Sequence, residues 1–341
     1  MQWIKRLSKS LILIAFVLLS LGSSLQLNIE EQWEALLKVS RIYSDSCRHY
    51  WTSPEFDAFK ERGPGAIAFL EKKYVESSAT WERDIPLHLI GEITGQQEVV
   101  WSLFMKNYDV QQPNIFVMSY LRFYKNLEFI DFCRGKLWSS NEYMRSKALN
   151  TLVWQGAITW SELFVWYEQY QQEEAIIGIG QLGEHDAIPK LRELVQDGNK
   201  NALLALGLLR EPDAVAMIYR DLYLTYPERY TDFRLACAVL EGVRTREVID
   251  WLMEDAIQNS YSLVLLTHIK DGTSGYENDM ENYYNNKAKR ELDLQNLGAW
   301  WKASREEWEA PKQRIVILQG FPAIGEPPGD ILWIDALKDL Y

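Results

Sequence analysis

From Glu30 onward, apolar positions recur at steps of three and four rather than two, the period of helices that bury one face. Glu30–Tyr43 carries Trp33, Leu36, Leu37, Val39, Ile42 and Tyr43 near that spacing. The punctuation agrees with it. Ser53-Pro54 sets a capping hydroxyl before a proline at the first helical position, and Thr159-Trp-Ser-Glu162 has the spacing of a capping box opening a helix over Trp160–Tyr170. Pro64, Pro113 and Gly156 fall in the turns between such stretches. Nothing strand-like occurs before Arg314-Ile-Val-Ile-Leu318. The pattern predicts an all-α chain, with roughly seven helical pairs between residues 28 and 270. Beyond them it predicts a polar loop or insertion over 271–290 and a Trp-rich capping helix over 291–310, around Trp300, Trp301 and Trp308. An irregular tail over 311–341 closes the chain and includes a short amphipathic end, Ile331–Leu340.

The helical pairs repeat in sequence. Gly180-Gln-Leu182-Gly-Glu-His-Asp186-Ala187-Ile188 returns as Gly207-Leu-Leu209-Arg-Glu-Pro-Asp213-Ala214-Val215, an offset of 27. Leu240-Glu-Gly-Val243 through Leu252 follows at 34, and Ile90–Val100 is a fainter upstream copy. Each copy reads as an apolar helix end, a short polar turn and an acidic residue in the next helix's first turn, where Asp186 or Asp213 complements the helix dipole. Pro189 and Pro212 fall in that same turn, where a missing N–H costs nothing. Gly180 and Gly207 each cost about 1 kcal/mol in helix propensity, a price that fits positions where a neighbouring helix packs closely. One such hairpin cannot cover its own apolar face, so copies must stack.

On these residues, the stretch Ile177–Leu222 resembles the short HEAT-like repeat first described in phycobilisome lyases, including the turn Leu194-Val-Gln-Asp197. It departs from that family's pattern where Asn199 and Lys200 stand in place of the usual arginine. The resemblance implies a right-handed α-solenoid over residues 25–270, a HEAT- or ARM-like superhelix. The helix around Trp300-Trp301 resembles the one that closes many bacterial HEAT-repeat chains.

The N-terminus changes the compartment. Lys5, Arg6 and Lys9 precede the apolar run Leu11–Leu19, and small residues Ser20, Gly22, Ser23 and Ser24 follow. That order is a secretory signal peptide over residues 1–24, too short to span a bilayer comfortably. The expected location is the periplasm or cell envelope of a bacterium, with secretion, or anchoring through an uncleaved N-terminus, as alternatives. Cleavage would remove three positive charges and take the net charge from −12 to −15, a surface that repels nucleic acid and anionic lipid. Three scattered cysteines, Cys47, Cys133 and Cys237, make no disulfide framework or metal pair.

Candidate chemistry is thin. His49, His88, His185 and His268 include no pair at metal-ligand spacing, His185 reads as a solvated turn residue, and His88 reads as a core histidine. The acidic loop Glu277–Asn282 lacks the glycine and spacing of a calcium site. No catalytic residue, metal or cofactor is expected. The HEAT-fold enzymes that the resemblance brings in use His-Glu pairs, a basic face or a cytoplasmic location, and none of these suits this sequence. The compositional outlier is aromatic, with 14 Trp and 18 Tyr. Trp101, Trp154, Trp160, Trp166 and Trp251 fall on expected helices, either as inter-repeat packing or as an aromatic groove for a peptide or glycan. The leading expectation is a non-enzymatic protein- or peptide-binding scaffold of the envelope. Two alternatives stand beside it: an envelope hydrolase or lyase with a carboxylate-lined concave site, and an assembly factor docking to a membrane complex through residues 313–341.

Overall fold

The computed structural model describes residues 28–46, 53–77, 80–108, 117–224, 230–271, 286–318 and 331–335. The signal-peptide reading of residues 1–24, Cys47, His49, Pro113 and most of the 271–290 loop lie outside them. The chain falls into two compact units, Met1–Asn114 and Ile115–Tyr341.

The first unit holds α1 (Ile29–Ser46), α2 (Pro54–Lys60), a 3-10 turn at Gly63–Ala66, α3 (Ile67–Glu76), α4 (Thr80–Thr94) and α5 (Gln97–Lys106). Ser53 caps α2 by accepting the Phe56 N–H, as its sequence position predicts. Trp33 meets Phe59 and Phe69 edge-on, and Leu36, Phe59, Leu70, Ile85 and Leu89 are wholly buried around them.

The second unit carries α6 (Val117–Tyr120), α7 (Leu127–Lys136), α8 (Glu142–Gln155), α9 (Trp160–Tyr170), α10 (Glu174–Leu182), α11 (Ile188–Gln196), α12 (Lys200–Leu208) and α13 (Pro212–Met217). A π-helical turn at Ile218–Tyr223 runs on from α13. Then come α14 (Tyr230–Val243), α15 (Arg246–Asp255), α16 (Ser260–Asp271) and α17 (Lys287–Ser304). Packing follows the sequence. α8, α10, α12, α14 and α16 form a central row in which each helix packs on the next, and α17 packs on α16. Each member of the row also pairs with an adjacent helix outside it. This is a sequential helical array, consistent with stacked repeats.

Two close approaches explain the repeated glycines. A Cβ on Gly180 would stand 2.6 Å from the Cα and carbonyl oxygen of Ala205, so α10 and α12 meet backbone to backbone. At Gly207 a Cβ would run into Ile218 and come within 2.8 Å of Val239 on α14. The helix ends recur in register as well. Gly156, Gly183, Arg210 and Arg244 all have positive φ, and they are spaced by 27, 27 and 34 residues. Glycine takes that conformation freely; the two arginines hold it at about 1 kcal/mol each.

α10 and α12 are apolar nearly all round, and every residue from Ala202 to Leu208 is buried. A helix with no polar face needs cover on all sides. Part of the cover comes from the tail that the sequence pattern left irregular. Arg314–Leu318 (β1) and Ile331–Asp335 (β2) pair in parallel, Arg314 opposite Ile331. β1 packs on α10 and α14, and β2 packs on α14. Val316 is fully buried, and Ile315 sits where Gly242 leaves room. Thus Ile331–Asp335 is a strand where the sequence suggested only an amphipathic end. Its register with β1 is set by a partner 17 residues away, which no local pattern encodes.

Candidate binding surface

Of the five tryptophans singled out in the sequence, three are buried and two are half-buried. Trp101, Trp154 and Trp166 are 3, 3 and 1 % exposed, and their rings lie inside the packing of their units. Trp166 also donates its indole N–H to the Leu137 carbonyl (3.1 Å), and Arg122 stacks over Trp154 at 5.2 Å. Trp160 and Trp251 are half-buried. Trp160 meets Phe164 edge-on, and Trp251 stacks on Tyr219 at 5.2 Å. At Trp101, Trp154 and Trp166 burial of large apolar area outcompetes display, because each of these rings is worth a few kcal/mol inside the core.

Among the described residues, the exposed aromatic side chains lie at the turn between α7 and α8 and in the first turn of α8. Trp138 is 54 % exposed and Tyr143, in the first turn of α8, is 43 % exposed. The turn is held from three sides. Trp166 binds the Leu137 carbonyl, and Arg145 Nη1 donates to the carbonyls of Ser139 (2.8 Å) and Ser140 (3.2 Å). Trp138 also rests against Tyr170, whose ring carries the Arg145 guanidinium at 4.4 Å and touches Trp166 at 5.1 Å. Beside this platform, Gln172 Nε2 donates to Glu142 (2.8 Å). Trp138 sits in an ordinary polar turn, Leu137-Trp-Ser-Ser-Asn141, with no helical period to draw attention to it.

A second surface is the edge formed by the ends of α10, α12 and α14. The chain leaves α17 and crosses these ends as a strap. Arg305 forks onto Asp250 (3.0 and 2.8 Å), and its hydrogen bonds hold that carboxyl below the usual carboxylate range. Arg246 then grips the carbonyls of Glu306 (2.8 Å) and Trp308 (3.1 Å), while Trp308 donates to the Arg244 carbonyl (2.9 Å). Arg210 grips the carbonyls of Pro311 (2.5 Å) and Gln313 (3.0 Å). Arg314 reaches the carbonyls of Val153 (3.2 Å) and Trp154 (2.9 Å) at the end of α8, and Ile317 N–H donates to Gln181 (3.1 Å). A cation against helix C-terminal carbonyls satisfies orphan acceptors and the dipole together.

The first unit has a groove of about 810 Å³ between α3 and α5, lined by Ala68, Val75, Val99 and Leu103 with Glu71 and Lys106 among its polar residues. Asp186 and Asp213 are exposed in the first turns of their helical segments, and His185 is exposed beside Asp186. His88 is buried against Phe56 at 5.0 Å, and burial, with the Lys60 charge behind it, lowers its pKa to about 3. Cys133 and Cys237 are free, and burial raises both thiols well above their ordinary range. Among the described residues no group of three His, Cys, Asp or Glu could hold a metal, and no helix is long and apolar enough to cross a membrane.

In comparison with known proteins, residues 171–197 match the PBS lyase HEAT-like repeat. That stretch runs from the left-handed cap of α9 through α10 and α11, one period of the array. No curated protein and no solved structure matches the chain.

Proposed function

We propose that the chain is a non-enzymatic protein- or peptide-binding scaffold of the cell envelope, exported through residues 1–24 and built as a right-handed α-solenoid. The observation that carries this reading is the Trp138 platform. A large indole is left more than half exposed on a turn that three side chains hold still. Leaving such a ring in water forgoes on the order of 1–2 kcal/mol of burial. Because the turn is already fixed, a ligand that covers it gains that area with little ordering cost. Aromatic anchors of this kind dominate interface energetics. The acidic net charge favours neutral or basic partners.

The test is a peptide-display selection against the full chain, followed by affinity measurement on Trp138→Ala and Tyr143→Ala. The expected result is at least a tenfold loss of affinity in both, with an unchanged melting temperature. Selected ligands that ignore both replacements, or any bound peptide converted to product, would sink the reading.

A further inference from the structure

We propose that the edge formed by the ends of α12 and α14 is a receptor for a peptide segment that presents its backbone carbonyls, occupied in this chain by its own residues 306–313, which a partner's segment displaces. This surface is separate from the Trp138 platform and uses none of its residues.

The first support is the way the strap is held. Arg246 takes the carbonyls of residues 306 and 308, and Arg210 takes those of 311 and 313. Each guanidinium therefore spans two carbonyls two residues apart: Arg246 takes its pair from the turn that runs on from α17, where the Glu307 and Trp308 N–H groups donate to the carbonyls of Ser304 and Arg305, and Arg210 takes its pair from the irregular stretch that follows. Bonds to main-chain atoms do not depend on the occupant's side chains, so the edge reads conformation before sequence. The one side chain of the strap that the edge itself reads is Trp308, whose indole donates to the Arg244 carbonyl.

The second support is the low burial of the clasped stretch. Glu306, Glu307, Glu309, Lys312 and Gln313 are exposed, and Trp308, Ala310 and Pro311 are half-buried. On either side the chain is anchored firmly, by Trp301 and Arg305 on Asp250 upstream and by buried Ile315–Ile317 downstream. The strap can therefore lift while its two ends stay in place. Segments with few buried apolar contacts and solvent-facing hydrogen bonds open at a small fraction of the global unfolding free energy.

The third support is the strain kept in the receptor. Arg210 and Arg244 hold φ of +62° and +30° at the register positions where Gly156 and Gly183 stand in the preceding copies. Burial and the neighbouring Arg244 charge both disfavour the charged Arg210, whose guanidinium donates to the neutral carbonyls of Pro311 and Gln313. A receptor role accounts for the arginine at position 210, while Arg244 takes part through its main-chain carbonyl, which accepts the Trp308 indole N–H. The fitting partner is a segment that leaves a turn at a tryptophan, with that residue's own carbonyl and those three and five residues further on facing the arginines.

The experiment titrates a labelled peptide of residues 305–314 into the full-length chain by fluorescence anisotropy. The strap in place competes at an effective concentration on the order of millimolar, so the native chain should bind the peptide weakly. A chain loosened by Trp308→Phe and Arg305→Gln should bind at least tenfold more tightly, and adding Arg210→Gln and Arg246→Gln should remove that gain. Trp138→Ala should leave all of these values unchanged, which separates this proposal from the platform reading. Equal affinities in the native and loosened chains, or a gain that survives loss of both arginines, would overturn it. Hydrogen exchange on the native chain guards against a misfolded variant. The Trp308 indole N–H, which the Arg244 carbonyl accepts, should exchange at least a hundredfold faster than the amides of α10 and α12, and matched rates would show that the edge is never vacated.

Discussion

The same glycine-to-alanine change should move stability in opposite directions at Gly180 and Gly298. Both lie inside helices, α10 and α17. Alanine removes the entropic cost of a helical glycine at either site, a gain of about 1 kcal/mol. At Gly298 a Cβ would meet nothing within 4 Å, so Gly298→Ala should be stabilising by up to that amount. At Gly180 it would stand 2.6 Å from the Cα and oxygen of Ala205 and 3.0 Å from its carbonyl carbon. Ordinary contact begins near 3.4 Å, so the helices must separate by about 0.8 Å. The obstacle is backbone, which has no rotamer to change. Overpacking of this kind costs about 1–3 kcal/mol and more where nothing yields, leaving Gly180→Ala net destabilising by about 2 kcal/mol. Urea unfolding followed by far-UV circular dichroism compares the two midpoints with the native chain. Hydrogen exchange in α10 and α12 should show the weakening locally. If Gly180→Ala is as stable as Gly298→Ala, the close α10–α12 approach is refuted, and with it the reason for a glycine at this point of the repeat.

Replacing Thr159 by Ala should cost about 1 kcal/mol, because both halves of the capping box with Glu162 are formed; chemical denaturation measures it. Arg314→Gln removes charged donors from two helix-terminal carbonyls and should cost about 2 kcal/mol on the same assay. The pKa of His88 is pushed down to about 3 in the folded chain, so the unfolded chain binds its proton first. Its contribution to stability is complete above about pH 6.5 and is lost toward pH 3, at about 1.4 kcal/mol per pH unit. A His88→Phe chain should flatten that part of the stability–pH curve, and an unchanged slope would place the acid sensitivity elsewhere.

Helix identity, helix starts and the repeat were legible in the sequence because each depends on neighbours within a few residues. Ser53, Thr159 and Gly156 act on their own turns, and the 27-residue echo around Gly180 and Gly207 records one unit's shape twice. What the sequence could not decide is which face each aromatic takes. Trp154 and Trp138 look alike in a string of letters. One is buried beneath Arg122, and the other is held out on a pinned turn, because the rings, carbonyls and guanidiniums around them come from other helices. The strap lies further beyond reach: Arg210 meets Pro311 across 101 residues and Arg314 meets Val153 across 161. Local periodicity fixes which residues want burial or a cap. Only the assembled array brings distant backbone carbonyls to one edge, and that edge determines what a polar, proline-containing stretch of tail can bind.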